Sequence, residues 1–258
     1  MNVHPAPCHN PEIKKVIITG NRILKGIIFF NIIVLLLALL EKNIFKGKKL
    51  EGLNNFSYSK YSTKDILFNG NRGATGTAYI DFYNNDKNLL IATYDGIFAF
   101  TNLNNLENFV KIDSNINSII KYDKFYFHEQ YGIKDIHVDN NKLYVSYIGE
   151  RKDNCYDLKI IFSELSEKFL DFSLFYQTLN CVDKNNNHGF WAHQGAGGRI
   201  VNLDDSNLLF TTGGFRNRPL SQDIKSDFGK ILKINIQNKK SEVVSLGHRN
   251  PQGLYYSK

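Results

Sequence analysis

The feature that most constrains the fold is a short recurring unit, in which a cluster of asparagine and aspartate residues leads into an apolar strand. Three copies stand at residues 82–93, 138–147 and 202–212. In each copy Asn and Asp favour a turn, while aromatic and β-branched residues favour a strand. Successive copies lie roughly 55–65 residues apart, near the period of propeller blades that carry loop insertions. The pattern predicts an all-β chain and favours a β-propeller over two packed sheets.

Two further segments extend the strand pattern. Residues 229–236 alternate with a period of two, as expected of a strand with one solvent-exposed face. Residues 253–256 are predicted to open another blade. At ~50 residues per blade, residues 53–258 provide about four blades. Because closed propellers avoid a free edge, we expect a fragment of a longer protein, rather than a ring that another chain completes or blades that close differently.

The positive charge of the chain is concentrated at one end. Residues 1–50 hold eight of the 32 Lys and Arg residues and only two of the 25 acidic residues, so most of the net charge of +7 lies there. The remaining domain is nearly neutral. This distribution argues against a basic face that binds nucleic acid.

An apolar run at residues 26–40 contains one amide side chain and no charge, and basic residues precede it. As a helix it would span about 22 Å, a little short for a bilayer unless flanking lysines snorkel. An uncleaved membrane anchor is favoured over a cleaved export signal, and both over a buried core helix. The predicted organisation is a basic tail at 1–25, a transmembrane or signal-anchor helix at 26–40, a linker at 41–59 and a partial propeller at 60–258.

The three cysteines leave two readings open. Cys8 precedes the apolar run, whereas Cys155 and Cys181 both fall in the predicted propeller. The latter two could form one disulfide that closes a loop of about 26 residues, or remain two buried thiols. The spacing of the cysteines matches no metal site.

The most specific motif is Gly-His-Arg-Asn-Pro-Gln-Gly-Leu at residues 247–254, here called the signature loop. Arg249, Asn250 and Gln252 place donors and acceptors around a rigid Pro251. A surface loop has no structural need for so much fixed polar geometry, which predicts a ligand-facing role.

Other candidate residues are weaker signals on their own. His193 precedes a glycine-rich stretch and is suited to take a proton near neutral pH, although a loop histidine is more often structural. Arg216 and Arg218 flank Asn217 after a glycine turn. On its own this segment is more often a solvated loop, but two arginines also suit a tricarboxylate ligand.

The order of these motifs resembles the glucose/sorbosone dehydrogenase family, whose members use pyrroloquinoline quinone (PQQ). Five segments carry the resemblance: Gln130-Tyr-Gly132, His193 with Gly197-Gly198-Arg199, Gly213 with Arg216-Asn217 and Gln222-Asp223, Gly229–Leu232, and the signature loop. The resemblance implies a six-bladed propeller, a PQQ cofactor with calcium, and oxidation of an aldose-type sugar. It also implies that the domain is exported to the periplasm or the extracellular side.

The resemblance also implies residue roles. His193 would be the general base on the anomeric hydroxyl, and Arg216 would stabilise charge on the quinone oxygen. The cofactor or sugar would contact five further residues: Gln130, Asn217, Arg249, Asn250 and Gln252.

The sequence departs from the family pattern in three places. Residues 194–196 separate His193 from the Gly-Gly-Arg segment, and Gly214 stands where an acidic residue is common. The acidic segment expected to hold calcium and cofactor would lie beyond Lys258. Two functions therefore stay open: a membrane-anchored PQQ-dependent sugar dehydrogenase, and a non-catalytic propeller that presents its loops to a partner or glycan.

Overall fold

The computed structural model describes residues 78–120, 132–152, 154–190 and 195–257, all within one compact unit, Lys60–Lys258. Its elements, in chain order, are β1 (Ala78–Tyr83), β2 (Asn88–Thr93), β3 (Phe98–Asn102), β4 (Val110–Ser114), α1 (Ile116–Ile119), β5 (Gly132–Asp139), β6 (Lys142–Lys152), β7 (Cys155–Glu164), β8 (Phe169–Leu170), β9 (Ser173–Gln177), β10 (Val182–Asp183), β11 (Gly197–Asp204), β12 (Asn207–Thr212), α2 (Arg218–Gln222), β13 (Lys230–Asn235) and β14 (Ser241–Leu246).

The strands form three consecutive antiparallel sheets. The first contains β1-β2-β3-β4, and β8 adds to β4 in parallel. The second contains β5, β6, β7 and β9, with β10 also paired to β7. The third contains β11-β12-β13-β14. Four antiparallel strands in sequence order are the unit of a propeller blade, which confirms the all-β prediction.

The asparagine-rich turns lie where the repeats place them. Asn84, Asn85 and Asp86 connect β1 to β2 with φ between 54° and 59°, and Asn140 and Asn141 connect β5 to β6 with φ of 45° and 60°. Asn and Asp tolerate this left-handed conformation better than other side chains, because their short polar groups can bond to the local backbone. The turn chemistry thus fixes where β1 and β5 reverse.

The first strands of the three sheets lie side by side. Strand β5 packs against β1 on one side and β11 on the other. Polar bonds join these neighbours: Val138 N–H donates to Asp81 Oδ2 at 2.6 Å, and Ile200 N–H donates to Asp135 Oδ2 at 2.9 Å. Adjacent inner strands are the arrangement of a propeller rather than of two stacked sheets.

Two details of the predicted architecture differ from the structure. The described residues form three sheets, two of five strands and one of four, whereas about four blades are predicted for residues 53–258. The sheets begin at residues 78, 132 and 197, so each takes up more chain than the ~50 residues assumed per blade. Residues 253–256 form no strand. Residues 60–77 of the predicted propeller lie outside the described part.

A disulfide joins Cys155 to Cys181, with the two Cα atoms 5.4 Å apart. Of the two alternatives for these cysteines, the structure has the disulfide and not two buried thiols. It connects the start of β7 to the segment that carries β10, where Lys184 N–H also donates to the Asn154 carbonyl at 2.7 Å. Aromatic side chains also connect neighbouring sheets; for example, the ring centre of Tyr176 in the second sheet lies 6.2 Å from that of Phe210 in the third.

The predicted helix at residues 26–40 lies outside the described residues. Within the part of the chain that the structure describes, no helix is long and apolar enough to cross a membrane.

Candidate functional site

Two loops of the third sheet meet at one end of the sheet. The first runs from Gly213 to Gly229 between β12 and β13 and carries α2, and the second is the signature loop after β14. Backbone bonds connect them: Gly247 N–H donates to the Ser221 carbonyl at 2.8 Å, and Gly214 N–H donates to the Arg249 carbonyl at 2.9 Å. Each of these bonds fixes the signature loop to the loop that bears Arg216.

The two loops line a cavity of about 310 Å³ that is open to solvent on one side. Its lining is formed by Gly214, Arg216, Arg218, Ser221, Gln222, Gly247 and Arg249. Three arginines therefore line one space, and none of the described residues that line it is acidic. Guanidinium binds carboxylate in bidentate fashion, so the cavity has the chemistry of a site for a polycarboxylate.

The backbone that presents Arg216 is strained. Phe215 and Arg216 have φ of 48° and 70°, a region that bulky side chains rarely occupy. Phe215 is fully buried, with its ring 4.9 Å from that of Phe228 and 6.2 Å from that of Phe190. The aromatic packing of Phe215 holds the strained turn that carries Arg216.

The second half of the signature loop contacts strand β11 rather than the cavity. Asn250 Oδ1 accepts the Gly197 N–H at 3.1 Å and the Gln252 side-chain amide at 2.6 Å. The Gln252 carbonyl accepts Arg199 Nε at 2.6 Å. Asn250 and Gln252 therefore hold the loop in register with the start of β11.

The remaining predicted site residues are placed as follows. Asn217 is buried at the start of α2, and its amide donates to Asn186 Oδ1 at 3.4 Å. Gln130 and His193 lie outside the described residues. The Gly195 carbonyl, two positions after His193, accepts the Phe215 N–H at 3.1 Å. The structure thus brings Arg216 and Arg249 together at the cavity, with Asn250 and Gln252 behind Arg249.

A buried charged group that the sequence analysis missed lies on β5. Lys134 is 4% exposed and occupies a β-bulge, and its Nζ lies 5.6 Å from the centre of the Tyr94 ring. A Cβ at Gly198 would come within 2.4 Å of the Lys134 Cβ, so the neighbouring strand must carry glycine there. Desolvation, together with the Arg199 charge, lowers the pKa of Lys134 to about 7.

Known sequences and structures identify the fold and the family. The family model described as Glucose / Sorbosone dehydrogenase matches residues 81–258. The chain belongs to this family. This confirms the resemblance carried by the motif order. A comparison with curated proteins finds no match.

Several solved structures of sugar dehydrogenases resemble this glucose/sorbosone dehydrogenase chain. A glucose dehydrogenase crystal structure is 17% identical, with a TM-score of 0.51 over 67% of this chain and 52% of that one. The soluble aldose sugar dehydrogenase of Escherichia coli, in its apo form, is 18% identical, with a TM-score of 0.49 over 67% and 51%. A PQQ-bound aldose sugar dehydrogenase from Streptomyces coelicolor is 16% identical, with a TM-score of 0.48 over 69% and 52%. The chain thus spans about half the length of these relatives.

The buried lysine makes folding of this family member depend on pH. Because the folded pKa of Lys134 is about 7 against an ordinary 10.5, the unfolded state binds more protons between these values. Below pH 7 the folded protein bears the whole free-energy cost of burying a charged Lys134. This cost falls as the pH rises toward 10.5, because the buried amine is then neutral.

We therefore expect the Lys134→Met protein to have a higher Tm than the parent at pH 6, by an amount that shrinks as the pH approaches 10. Thermal melts over this range measure the difference, with exposed Lys168→Met as the matched control. A difference in Tm between Lys134→Met and the parent that did not vary with pH would contradict the lowered pKa of Lys134.

Proposed function

We propose that this chain belongs to a PQQ-dependent sugar dehydrogenase that oxidises the anomeric hydroxyl of an aldose. The observation that carries the proposal is the arginine-lined cavity, in which Arg216, Arg218 and Arg249 surround a space of about 310 Å³. The signature loop supplies one of these arginines and holds the loop that supplies the other two. Family membership gives the class of reaction, and the cavity gives the part of the chain that would bind the cofactor.

The donor set of the cavity fits PQQ. PQQ is a tricarboxylate, and the guanidinium groups of Arg218 and Arg249 could each bind one carboxylate, which leaves Arg216 for the quinone oxygen. The volume is at the lower end of ligand pockets, which are roughly 300–1,000 Å³. We propose that Arg216, Arg218 and Arg249 hold the cofactor. Gln130 is proposed as a further contact to the cofactor or sugar by family resemblance alone. Asn217, Asn250 and Gln252 do not line the cavity, and they are proposed to support the loops that bear the arginines.

The chemistry divides between the cofactor and two side chains. PQQ, when bound, supplies an acceptor for the hydride that leaves the anomeric carbon. His193 would take the proton of the anomeric hydroxyl, so that the sugar leaves as a lactone. The Arg216 guanidinium would stabilise negative charge on the quinone oxygen.

Calcium is proposed as a partner of PQQ by family resemblance alone. No group of three or more His, Cys, Asp or Glu side chains in residues 78–120, 132–152, 154–190 or 195–257 could hold a metal ion. We therefore assign no residue and no chemical step to calcium.

We also propose that residues 26–40 anchor the protein in a membrane and that the propeller is exported to the periplasm or the extracellular side. The apolar run supports the anchor. The Cys155–Cys181 disulfide supports export, because such bonds persist in oxidising compartments. Fractionation of cells and protease treatment of intact cells test both parts of the proposal.

The proposed function is tested on the full chain, produced in membranes and supplied with PQQ and an aldose. Reduction of an artificial electron acceptor that depends on both PQQ and sugar is the expected result. Binding of PQQ or sugar without turnover would favour the alternative, a non-catalytic propeller. Absence of PQQ binding would contradict the proposal.

Replacing Arg249 with methionine is expected to weaken PQQ binding about tenfold, because a charge-assisted hydrogen bond contributes about 1.5 kcal/mol or more. Equilibrium dialysis measures the change in Kd. Lys225→Met is the matched control, since it removes the same charge from an exposed position on the neighbouring loop that does not line the cavity. Equal losses in both variants would indicate a diffuse effect of net charge instead of a contact.

A further inference from the structure

Lys230, the first residue of β13, is fully buried. Its ammonium donates to three backbone carbonyls: that of Leu220 at 2.9 Å, that of Ser221 at 3.1 Å and that of Phe228 at 2.7 Å. An ammonium has three donors and no acceptor, so every N–H of Lys230 is used. Two of the three carbonyls belong to α2, the short helix that carries Arg218 and Gln222 of the cavity.

The arrangement costs free energy that a core residue would not require. Desolvation lowers the pKa of Lys230, while the nearby charges of Asp223 and Asp227 oppose that shift. Leu232 and Ile234, on the same face of β13, are apolar and equally buried. A buried charge on an otherwise apolar face is stabilised only by good hydrogen-bond geometry, and here that geometry comes from the cavity loop.

One carbonyl joins Lys230 to the signature loop. The Ser221 carbonyl accepts both Lys230 Nζ at 3.1 Å and the Gly247 N–H at 2.8 Å. The Ser221 hydroxyl donates to the His248 carbonyl at 3.3 Å, and His248 N–H donates to the Gly229 carbonyl at 3.0 Å. The loop that bears Arg218 and the loop that bears Arg249 are therefore held at the same point, next to the buried ammonium.

We infer that Lys230 is a positioning residue of the arginine-lined cavity: its ammonium fixes α2 against the signature loop, so that Arg218 and Arg249 face one anionic ligand. The inference rests on the proposed function only in naming PQQ as that ligand. The positioning itself depends on contacts within the chain. Lys230 does not line the cavity and acts through Ser221.

The test compares Lys230→Met with Leu232→Ala in the full chain. Leu232 is also fully buried and is two residues along the same strand, so its truncation lowers stability without touching the carbonyls of the cavity loop. Amide hydrogen exchange at Gly247 reports directly on the Ser221 carbonyl. Equilibrium dialysis with PQQ reports on the cavity.

Exchange at Gly247 is expected to be at least about tenfold faster in Lys230→Met than in Leu232→Ala, and the Kd for PQQ at least about tenfold higher, from the loss of one charged hydrogen bond. Lys230→Gln keeps two N–H donors without the charge; it is expected to be intermediate, and it replaces Lys230→Met if that variant does not fold. Equal exchange and equal Kd values in the lysine and leucine variants would overturn the inference. If the parent protein does not bind PQQ, the proposed function fails, and exchange at Gly247 still decides the role of Lys230.

Discussion

Replacing His193 with asparagine is expected to lower the kcat of PQQ-dependent sugar oxidation by about 100- to 10,000-fold, the contribution of a positioned general base. Asparagine keeps a polar side chain of similar size but cannot take a proton at neutral pH. Binding of PQQ should change little, because the proposed cofactor contacts are the arginines of the cavity. The expected result is therefore a loss of kcat with a nearly unchanged Kd for the cofactor.

His188→Asn is the matched control, since His188 is exposed and lies five positions before His193. This variant should keep the parent activity. In the parent, kcat/KM should rise with pH as the general base loses its proton, and this pH dependence should disappear in His193→Asn. Equal kcat values for His193→Asn and the parent would remove His193 from the mechanism and favour another base.

The turns and strands of the fold could be predicted because their causes are local. Asn84, Asn140 and their neighbours specify left-handed turns by their own chemistry, and each turn is followed by a strand-forming segment. The alternation of apolar and polar side chains from Leu232 to Asn235 likewise matches the period-two burial of β13, with Lys230 as the exception on the buried face. The number of blades is harder to predict, because it depends on loop lengths, which vary between the described sheets and leave no periodic signal.

The site was only partly predictable, because its contacts join residues far apart in the chain. The signature loop indicates a fixed polar structure, but its sequence does not show that Arg249 lines the cavity while Asn250 contacts Gly197. That division depends on how the loop meets β11. Lys134 and Lys230 carry charges that typically mark exposed positions, and their burial follows from neighbouring strands and loops.

Replacing both Cys155 and Cys181 with alanine is expected to lower the free energy of unfolding by about 3 kcal/mol, since the bond closes a loop with a sequence separation of 26. For a domain of this size the Tm should fall by about 6–12 °C. Differential scanning calorimetry of the parent and the double variant measures both quantities. Cys8→Ala removes a cysteine that takes no part in this bond, so its Tm should match that of the parent.

The same bond also bears on the site, because it fixes the start of the segment that leads to His193. Val182 pairs with Tyr156 next to the disulfide, and Asn186 accepts a hydrogen bond from Asn217 of the cavity loop. At temperatures well below the Tm, loss of the disulfide should therefore raise the KM for sugar. The Kd for PQQ at the arginine-lined cavity should change less. A double variant with the parent Tm would show that the paired strands alone hold this segment, and a parallel loss of PQQ binding would show that the two loops form one cooperative unit.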